Sequence, residues 1–345
     1  MTATIHDVAQ RAGCSIASVS RVLNGSAAIS PDLESRVRAA VEALGYRPNA
    51  LGRSLKTKAT RAIGMLVPSF TNPVFAASLA GVEQAARAAG YDIILSATGY
   101  DRHREPEAVA AMTARAVEGL ILTVADAEHS VLLDALDRNG PPYVLLYNEL
   151  SRAGRAAVAV DNAAAVTELV GHMVALGHRR IAFVAGRFRA SDRSRLRYQG
   201  YLSAMAAAGL EPLPVAEVEF LGVEPEFDRD LAGLLARRDR PTAFACSNDL
   251  LAIAVMAALR RVGLSVPADV SVTGFDGIAI GRQIAPSLAT IEAPTLAMGR
   301  AALDLLLDIR ASRAPRATRR LPHRFRPGES LAAAPACNPA GAWQA

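Results

Sequence analysis

The sequence predicts a small all-α head of helix-turn-helix spacing, a short hinge helix, and an α/β body of two doubly wound parallel-sheet lobes. Three observations lead there. Residues 1–61 carry nine Lys or Arg against four Asp or Glu, a net charge of +5, whereas residues 62–345 hold 29 of each and sum to zero. The first 24 residues have the spacing of two short helices joined by a tight turn. From residue 62, short apolar runs alternate with amphipathic stretches, the pattern of a parallel sheet wrapped by helices. A chain of 345 residues, half of it apolar, has material for two or three cores.

In the head, Thr4 is suited to cap a helix starting at about Ile5, and Asp7 can answer it in a capping box. Ile5, Val8, Ala9 and Ala12 form its apolar face, and Gly13 gives the backbone freedom to leave it. Ser15 can accept from the free N–H groups of a second helix over 16–23, in which Val19, Val22 and Leu23 point inward. That leaves Ile16, Ala17, Ser20, Arg21 and Asn24 for other faces, on a helix of a size that fits the major groove of DNA. A helical hairpin with a solvated Arg21 would have the same spacing, so it is the charge partition that favours a polyanionic partner. Ser30-Pro31 opens a third helix over 32–44, whose Leu33, Val37, Ala40, Val41 and Leu44 close a three-helix core before Gly45 ends it. Tyr46-Arg47-Pro48 forces an extended step. Asn49 to Leu55 has helical spacing over only two turns, too short to be stable alone, and the basic stretch Lys56 to Arg61 is the natural boundary. The expected division is a head over 1–48, a hinge helix and linker over 49–61, a two-lobed domain over 62–330, and a loose tail over 331–345.

In the body, strands are expected over 62–67, 93–96, 119–122 and 144–147, with helices over 74–89, 105–115 and 131–138. The alternation restarts at a strand over 158–160. Helices over 163–176, 194–208, 226–236, 249–262 and 295–309 then alternate with strands over 181–185, 215–220, 243–246 and 270–274, and a last strand is expected near 321–325. In such sheets ligands bind at the carboxyl ends of the strands.

Cys14, Cys246 and Cys337 have no paired spacing, which points to a reducing compartment and away from a disulfide framework or zinc site. The N-terminus is polar and no run approaches 18 apolar residues, so a cytoplasmic location without a membrane partner is expected. No Gly-x-Gly-x-x-Gly or P-loop pattern opens a βα unit, and the six histidines lack metal or triad spacing; an enzyme is not expected, nor any cofactor or metal. His6, His172 and His178 read as structural or solvated. A transport-type sugar-binding protein would account for the body and leave the head unexplained.

The head motifs Thr4-Ile-His-Asp-Val-Ala9, Ala12-Gly13, Val19-Ser-Arg-Val-Leu-Asn24, Leu44-Gly-Tyr-Arg-Pro-Asn49 and Ser54-Leu55 are followed in order by matching segments of the body. These are Ile63-Gly64, Thr71-Asn-Pro73, Val117-Glu-Gly-Leu-Ile121, Val160-Asp-Asn162, Gly177-His178, Asn248-Asp249, Pro267-Ala-Asp-Val-Ser271 and Gly274-Phe-Asp276. Together they resemble the LacI family of bacterial transcription regulators over essentially the whole chain. The resemblance implies a repressor or regulator that binds a palindromic double-stranded DNA operator as a homodimer. It also implies a small effector held between two periplasmic-binding-protein-like lobes, with closure of the lobes acting on the paired hinge segments. The tail lacks the leucine heptads of a tetramerising extension, so a dimer is expected.

By position, the resemblance places Ser15, Ile16, Ala17 and Arg21 where the family's recognition helix faces base edges and phosphates, with Ser20 and Asn24 on the same helix and Asn49 at the hinge. Ile16 and Ala17 suit thymine methyls, and Arg21 suits a bidentate contact with guanine. Leu55 matches the leucine that wedges into the minor groove at the operator centre, with Lys56 beside it. Asn72, Phe75, Arg197, Asn248 and Asp276 match the effector pocket. This set suits a sugar or other polyhydroxylated molecule: Arg197 as a fork of donors, Asp276 as an acceptor, Asn248 as both, Phe75 as an apolar wall. Each also has a local alternative, since Asn248 can cap a helix, Asp276 can fix a turn, and Arg197 can be one of several solvated arginines in Arg193-Ser-Arg-Leu-Arg197. Two positions depart from the family pattern. Tyr147-Asn148 stands where many members carry an aspartate-containing turn, and Ala293 where some sugar-responsive members have a polar side chain.

Overall fold

The computed structural model describes residues 3–24, 29–46, 60–150, 154–219, 231–313 and 316–335. They form two compact units, Met1–Thr60 and Arg61–Ala345.

The head contains α1 (Ile5–Ala12), α2 (Ile16–Asn24) and α3 (Pro31–Leu44). Their ends are where the local chemistry puts them. Asp7 N–H donates to Thr4 Oγ1 (3.4 Å) while Thr4 N–H donates to Asp7 Oδ2 (2.8 Å), closing the capping box. Gly13 leaves α1 at φ 62°, Ser15 Oγ accepts from Ser18 N–H (3.1 Å), and Ser30 Oγ caps α3 through Leu33 N–H (3.4 Å). Val8, Val19 and Val37 are fully buried at the centre, with Leu23, Leu33, Val41 and Leu44 half-buried around them. Each buried valine contributes roughly 1.5–3 kcal/mol relative to an exposed one. The hinge helix expected over Asn49–Leu55, and Lys56, lie outside the described residues.

The first lobe begins β1 (Ala62–Val67), α4 (Pro73–Ala89), β2 (Asp92–Ala97), α5 (Glu105–Thr113), β3 (Gly119–Leu122), α6 (Val131–Asn139), β4 (Tyr143–Leu146) and β5 (Ala157–Ala159). The chain then enters the second lobe through α7 (Asn162–Ala175), β6 (Ile181–Gly186), α8 (Asp192–Ala207), β7 (Ala216–Val218), β8 (Ala243–Cys246), α9 (Asp249–Arg261), β9 (Ser271–Asp276) and β10 (Ala289–Glu292). It returns to the first as α10 (Thr295–Arg310) and β11 (Thr318–Arg320), and ends in the second with β12 (Arg324–Arg326). The sheets run β11-β5-β4-β3-β1-β2 and β12-β10-β9-β8-β6-β7, parallel throughout except for β12 on β10. Central strands such as β1 are buried on both faces, which is why they read as unbroken apolar runs.

Four sequence expectations are corrected. The strand expected to open the second lobe, near 158–160, is β5 of the first sheet, and the helix over 295–309 packs on the first lobe against α4, not the second. The alternation of strand and helix is local and looks the same on either side of a crossing, so it carries no record of which lobe an element joins. The single strand near 321–325 is two edge strands, β11 and β12, one on each sheet, with a third crossing between them. Close approach fixes α10 in its true lobe: an added Cβ on Gly299 would lie 2.0 Å from Ser78 O of α4, and one on Gly81 would lie 2.0 Å from Leu296 O. The second lobe pairs α7 and α8 in the same way, with Gly200 against Ala163 O at 2.3 Å. Residues 331–335 are not loose. Ala332 N–H donates to Ser271 Oγ (3.2 Å), Ala332 O is bonded to His178 Nε2 (3.0 Å), and Ala334 N–H donates to Leu176 O (2.8 Å). Among the described residues no helix is long and apolar enough to cross a membrane.

Candidate functional site

On the head, burial of Val19 and Val22 turns the opposite side of α2 outward. Ile16, Ala17 and Arg21 are exposed and Ser20 is half-buried, and their i, i+1, i+4, i+5 spacing puts these four along one edge of the helix, with the exposed Ser15 capping its start. Ile16 is 39% exposed, unusual for so large an apolar side chain in so small a core. Asn24 ends α2; its side chain, with Asn49, Leu55 and Lys56, is outside the described residues.

In the body, all five residues assigned to the effector pocket line one cleft between the lobes, at the carboxyl ends of the strands. Lobe 1 contributes a neutral wall. Asn72 caps α4, its Oδ1 accepting from Val74 N–H (3.2 Å), and its Nδ2 donates to Tyr100 Oη (3.2 Å). Phe75 meets Tyr147 edge to face at 5.6 Å, and Tyr147 Oη donates to Val74 O (2.9 Å). Burial pushes the Tyr100 hydroxyl up to about 12, so it is a neutral donor and acceptor.

Lobe 2 contributes charge. Arg197 lies over the Phe275 ring at 3.5 Å, its Nε donates to Asn162 Oδ1 (2.8 Å), its Nη1 donates to Ser247 O (2.5 Å), and it pairs with Asp276 Oδ1 at 3.4 Å. Asp276 is held at φ 111°, outside the regions ordinary side chains favour. Burial raises its carboxyl to about 6 against the opposing pull of Arg197. Behind it, Asp249 is raised to about 7 by burial and then by Asp276; its Oδ1 accepts from Thr290 Oγ1 (2.5 Å) and its Oδ2 from Ile278 N–H (2.7 Å). Asn248 does cap α9, through Leu251 N–H (2.8 Å), yet it also lines the cleft. Cap and cleft wall are the same residue.

Sequence reasoning missed a group that joins the lobes. Asp192, at the start of α8, accepts from Asn148 Nδ2 at Oδ1 (3.0 Å) and Oδ2 (2.8 Å) and from Ala127 N–H (3.1 Å). Asp192 N–H donates to Ala125 O (2.7 Å). Arg193 Nη1 completes the group, donating to Val124 O (2.9 Å) and Asp192 Oδ1 (3.0 Å). Burial drives the Asp192 carboxyl upward, and the three donor groups around it, Asn148 Nδ2, Ala127 N–H and Arg193 Nη1, compensate for the lost water. Arg193 and Ser194 also line the cleft. The i, i+4 spacing of Arg193 and Arg197 was the signal that both face the same way; Tyr100 and Asp192 sit in no motif. Ala293 lies at the second crossing, its N–H donating to Asp276 O (3.3 Å).

A helix-turn-helix head on a two-lobed body with a polar interlobe cleft defines a DNA-binding regulator with an effector-binding domain. Residues 4–49 match the bacterial regulatory proteins of the lacI family, and residues 170–331 match the periplasmic binding protein-like domain. The chain is 32% identical over 311 residues to the HTH-type transcriptional repressor PurR of Erwinia tasmaniensis, covering 89% of this chain and 90% of that one. It is 32% identical over 315 residues to the ribose operon repressor of Haemophilus influenzae, covering 89% and 91%. Its fold matches the lac repressor dimer bound to operator and the anti-inducer ONPF, with TM-score 0.86 and 26% identity over 96% of this chain and 100% of that one. The chain belongs to the LacI family of bacterial transcription regulators.

Proposed function

We propose that this regulator acts as a homodimeric repressor on a palindromic operator and that a neutral, polyhydroxylated small molecule of the sugar class, bound in the cleft, controls its affinity. In this reading Ser15, Ile16, Ala17, Ser20, Arg21 and Asn24 read the major groove, while Asn49, Leu55 and Lys56 serve the hinge and its minor-groove wedge. Asn72, Phe75, Arg197, Asn248 and Asp276 hold the effector.

The observation that carries the effector class is charge balance. Each arginine of the cleft already faces a carboxylate, Arg197 with Asp276 at 3.4 Å and Arg193 with Asp192 at 3.0 Å. An anionic ligand would meet those carboxylates, and a cation would meet the guanidiniums. Hydroxyl groups, which donate and accept at once, match both halves of each pair, and an apolar ring face fits against Phe75.

Thermal shift of the full chain with D-ribose, D-gluconate and hypoxanthine separates the classes. The neutral sugar is expected to raise Tm, by the equivalent of about 2.7 kcal/mol at a hundredfold excess over Kd. A shift with gluconate or hypoxanthine and none with neutral sugars would replace this effector class. Operator binding is expected to be lost in a chain lacking residues 1–60; equal sequence-specific affinity in both chains rules out the DNA-reading role. Arg21→Ala is expected to cost about 1–3 kcal/mol of operator affinity with relaxed base preference, whereas a shallower salt dependence alone marks a phosphate contact.

A further inference from the structure

Arg61, the first residue of the body, is held from several sides. Its backbone N–H donates to Glu118 Oε1 (2.7 Å), its Nη1 donates to Ala89 O (3.3 Å), and its guanidinium lies 5.5 Å from the centre of the Tyr91 ring. Its φ is 51°, a conformation that a non-glycine residue keeps only when its surroundings impose it. The other oxygen of Glu118, Oε2, accepts from Tyr91 Oη (3.2 Å) and from Arg310 Nη2 (2.5 Å), and Arg310 Nη1 donates to the same tyrosine hydroxyl. Burial acts to raise the Glu118 carboxyl, but the Arg61 N–H and the Arg310 charge outweigh it and leave the group below its ordinary value.

Arg310 is the last residue of α10, and Thr295 is the first. Thr295 follows the second crossing directly, where Ala293 N–H donates to the backbone oxygen of the cleft residue Asp276. A helix of this length spans about 24 Å. The glycine contacts of Gly81 and Gly299 leave α10 no room to slide independently of α4. One stiff element thus begins two residues after a backbone bond at the effector cleft. Its other end is on the carboxylate that sets where the chain enters lobe 1.

We propose that Glu118 is a positioning residue: through its bonds to Arg310 and to the Arg61 N–H it transmits displacement of the second crossing, carried by α10, to the point where the linker joins the body. Oε1 fixes the backbone of Arg61, and Oε2 makes that fixing depend on where the end of α10 lies. This assigns a role to an ion pair at the opposite end of α10 from the cleft, and it holds whatever the effector is.

Amide exchange of the full chain, followed at the Arg61 N–H with Tm measured alongside, tests the proposal without operator or effector, so its failure is separable from failure of the effector reading. Glu118→Ala is expected to speed exchange at Arg61 about tenfold, the loss of one hydrogen bond to a charged acceptor. Glu118→Gln keeps an acceptor for the N–H but loses the pair with Arg310. Asp276→Asn, which perturbs the cleft end, is expected to change exchange at Arg61 in the parent chain and to have no such effect in the Glu118→Gln or Arg310→Gln background, while Arg310→Lys retains it. Should Asp276→Asn fail to fold, Ala293→Pro removes the N–H bonded to Asp276 O and serves as the perturbation. An effect of the cleft substitution that persists at full size in the Glu118→Gln background overturns the proposal. So does an Arg61 exchange rate unchanged by Glu118→Ala.

Discussion

Lobe 1 lines the cleft with Asn72, Phe75, Tyr100 and Tyr147, whereas lobe 2 lines it with Arg193, Arg197, Asn248 and Asp276. The two lobes share sheet order and a glycine-packed helix pair, so scaffold does not explain the contrast. An aromatic wall offers shape at little electrostatic cost. A buried arginine beside a buried aspartate offers direction, but each charge depends on its partner, because either one alone would lie out of water uncompensated. Lobe 2 therefore carries both the directional bonds and the greater exposure to damage by substitution.

Asp276→Ala is expected to show the contrast most strongly. It strands Arg197, and the loss should be about 3–5 kcal/mol of unfolding free energy in urea denaturation. Phe75→Leu in lobe 1 gives up the edge-to-face contact with Tyr147 and some packing, with an expected loss of about 1–2 kcal/mol by the same measurement. Equal losses from the two would erase the distinction between the walls. Tyr100→Phe removes only the hydroxyl that accepts from Asn72, and should cost under about 1.5 kcal/mol in stability while weakening effector binding measured by calorimetry.

The smallest effect sharpens the comparison through pH. Asp276 and Asp249 have folded values of about 6 and about 7 against an ordinary 3.8, so the folded protein holds protons that the unfolded chain releases. Their contribution to stability is complete below about pH 4 and is lost as pH rises through 6 and 7. Glu292 is the opposite case: burial raises its carboxyl, but bonds from Arg324, Arg282 and Arg326 hold it at about 2, so its contribution survives until strongly acid pH. Asp249→Asn should flatten the difference in stability between pH 5 and pH 8. A slope identical to that of the parent would remove Asp249 as its source.

What the sequence made legible was whatever depends on neighbours along the chain. The Thr4–Asp7 box, the Gly13 and Gly45 exits and the Asn72 and Asn248 caps are all local, and each stands where its residue types indicate. Asn248 and Asp276 are legible because each falls in a segment with a resemblance of its own, and Arg197 through its position on the helix after Gly186. Asp192 and Tyr100 are not, because their partners Asn148 and Asn72 lie 44 and 28 residues away, and no short pattern encodes such a pairing. The lobe identities of β5 and α10 were hidden for the same reason. They are decided by three crossings whose residues look like ordinary loops.

Those crossings, after β5, after β10 and between β11 and β12, also limit how the body can deform. A single connection would let one lobe swivel about it like a ball on a string. Three connections, two of them stitched together where Leu321 N–H donates to Ala159 O (2.9 Å), resist torsion and leave bending as the soft mode. A ligand that bridges the two walls therefore acts against three connections at once.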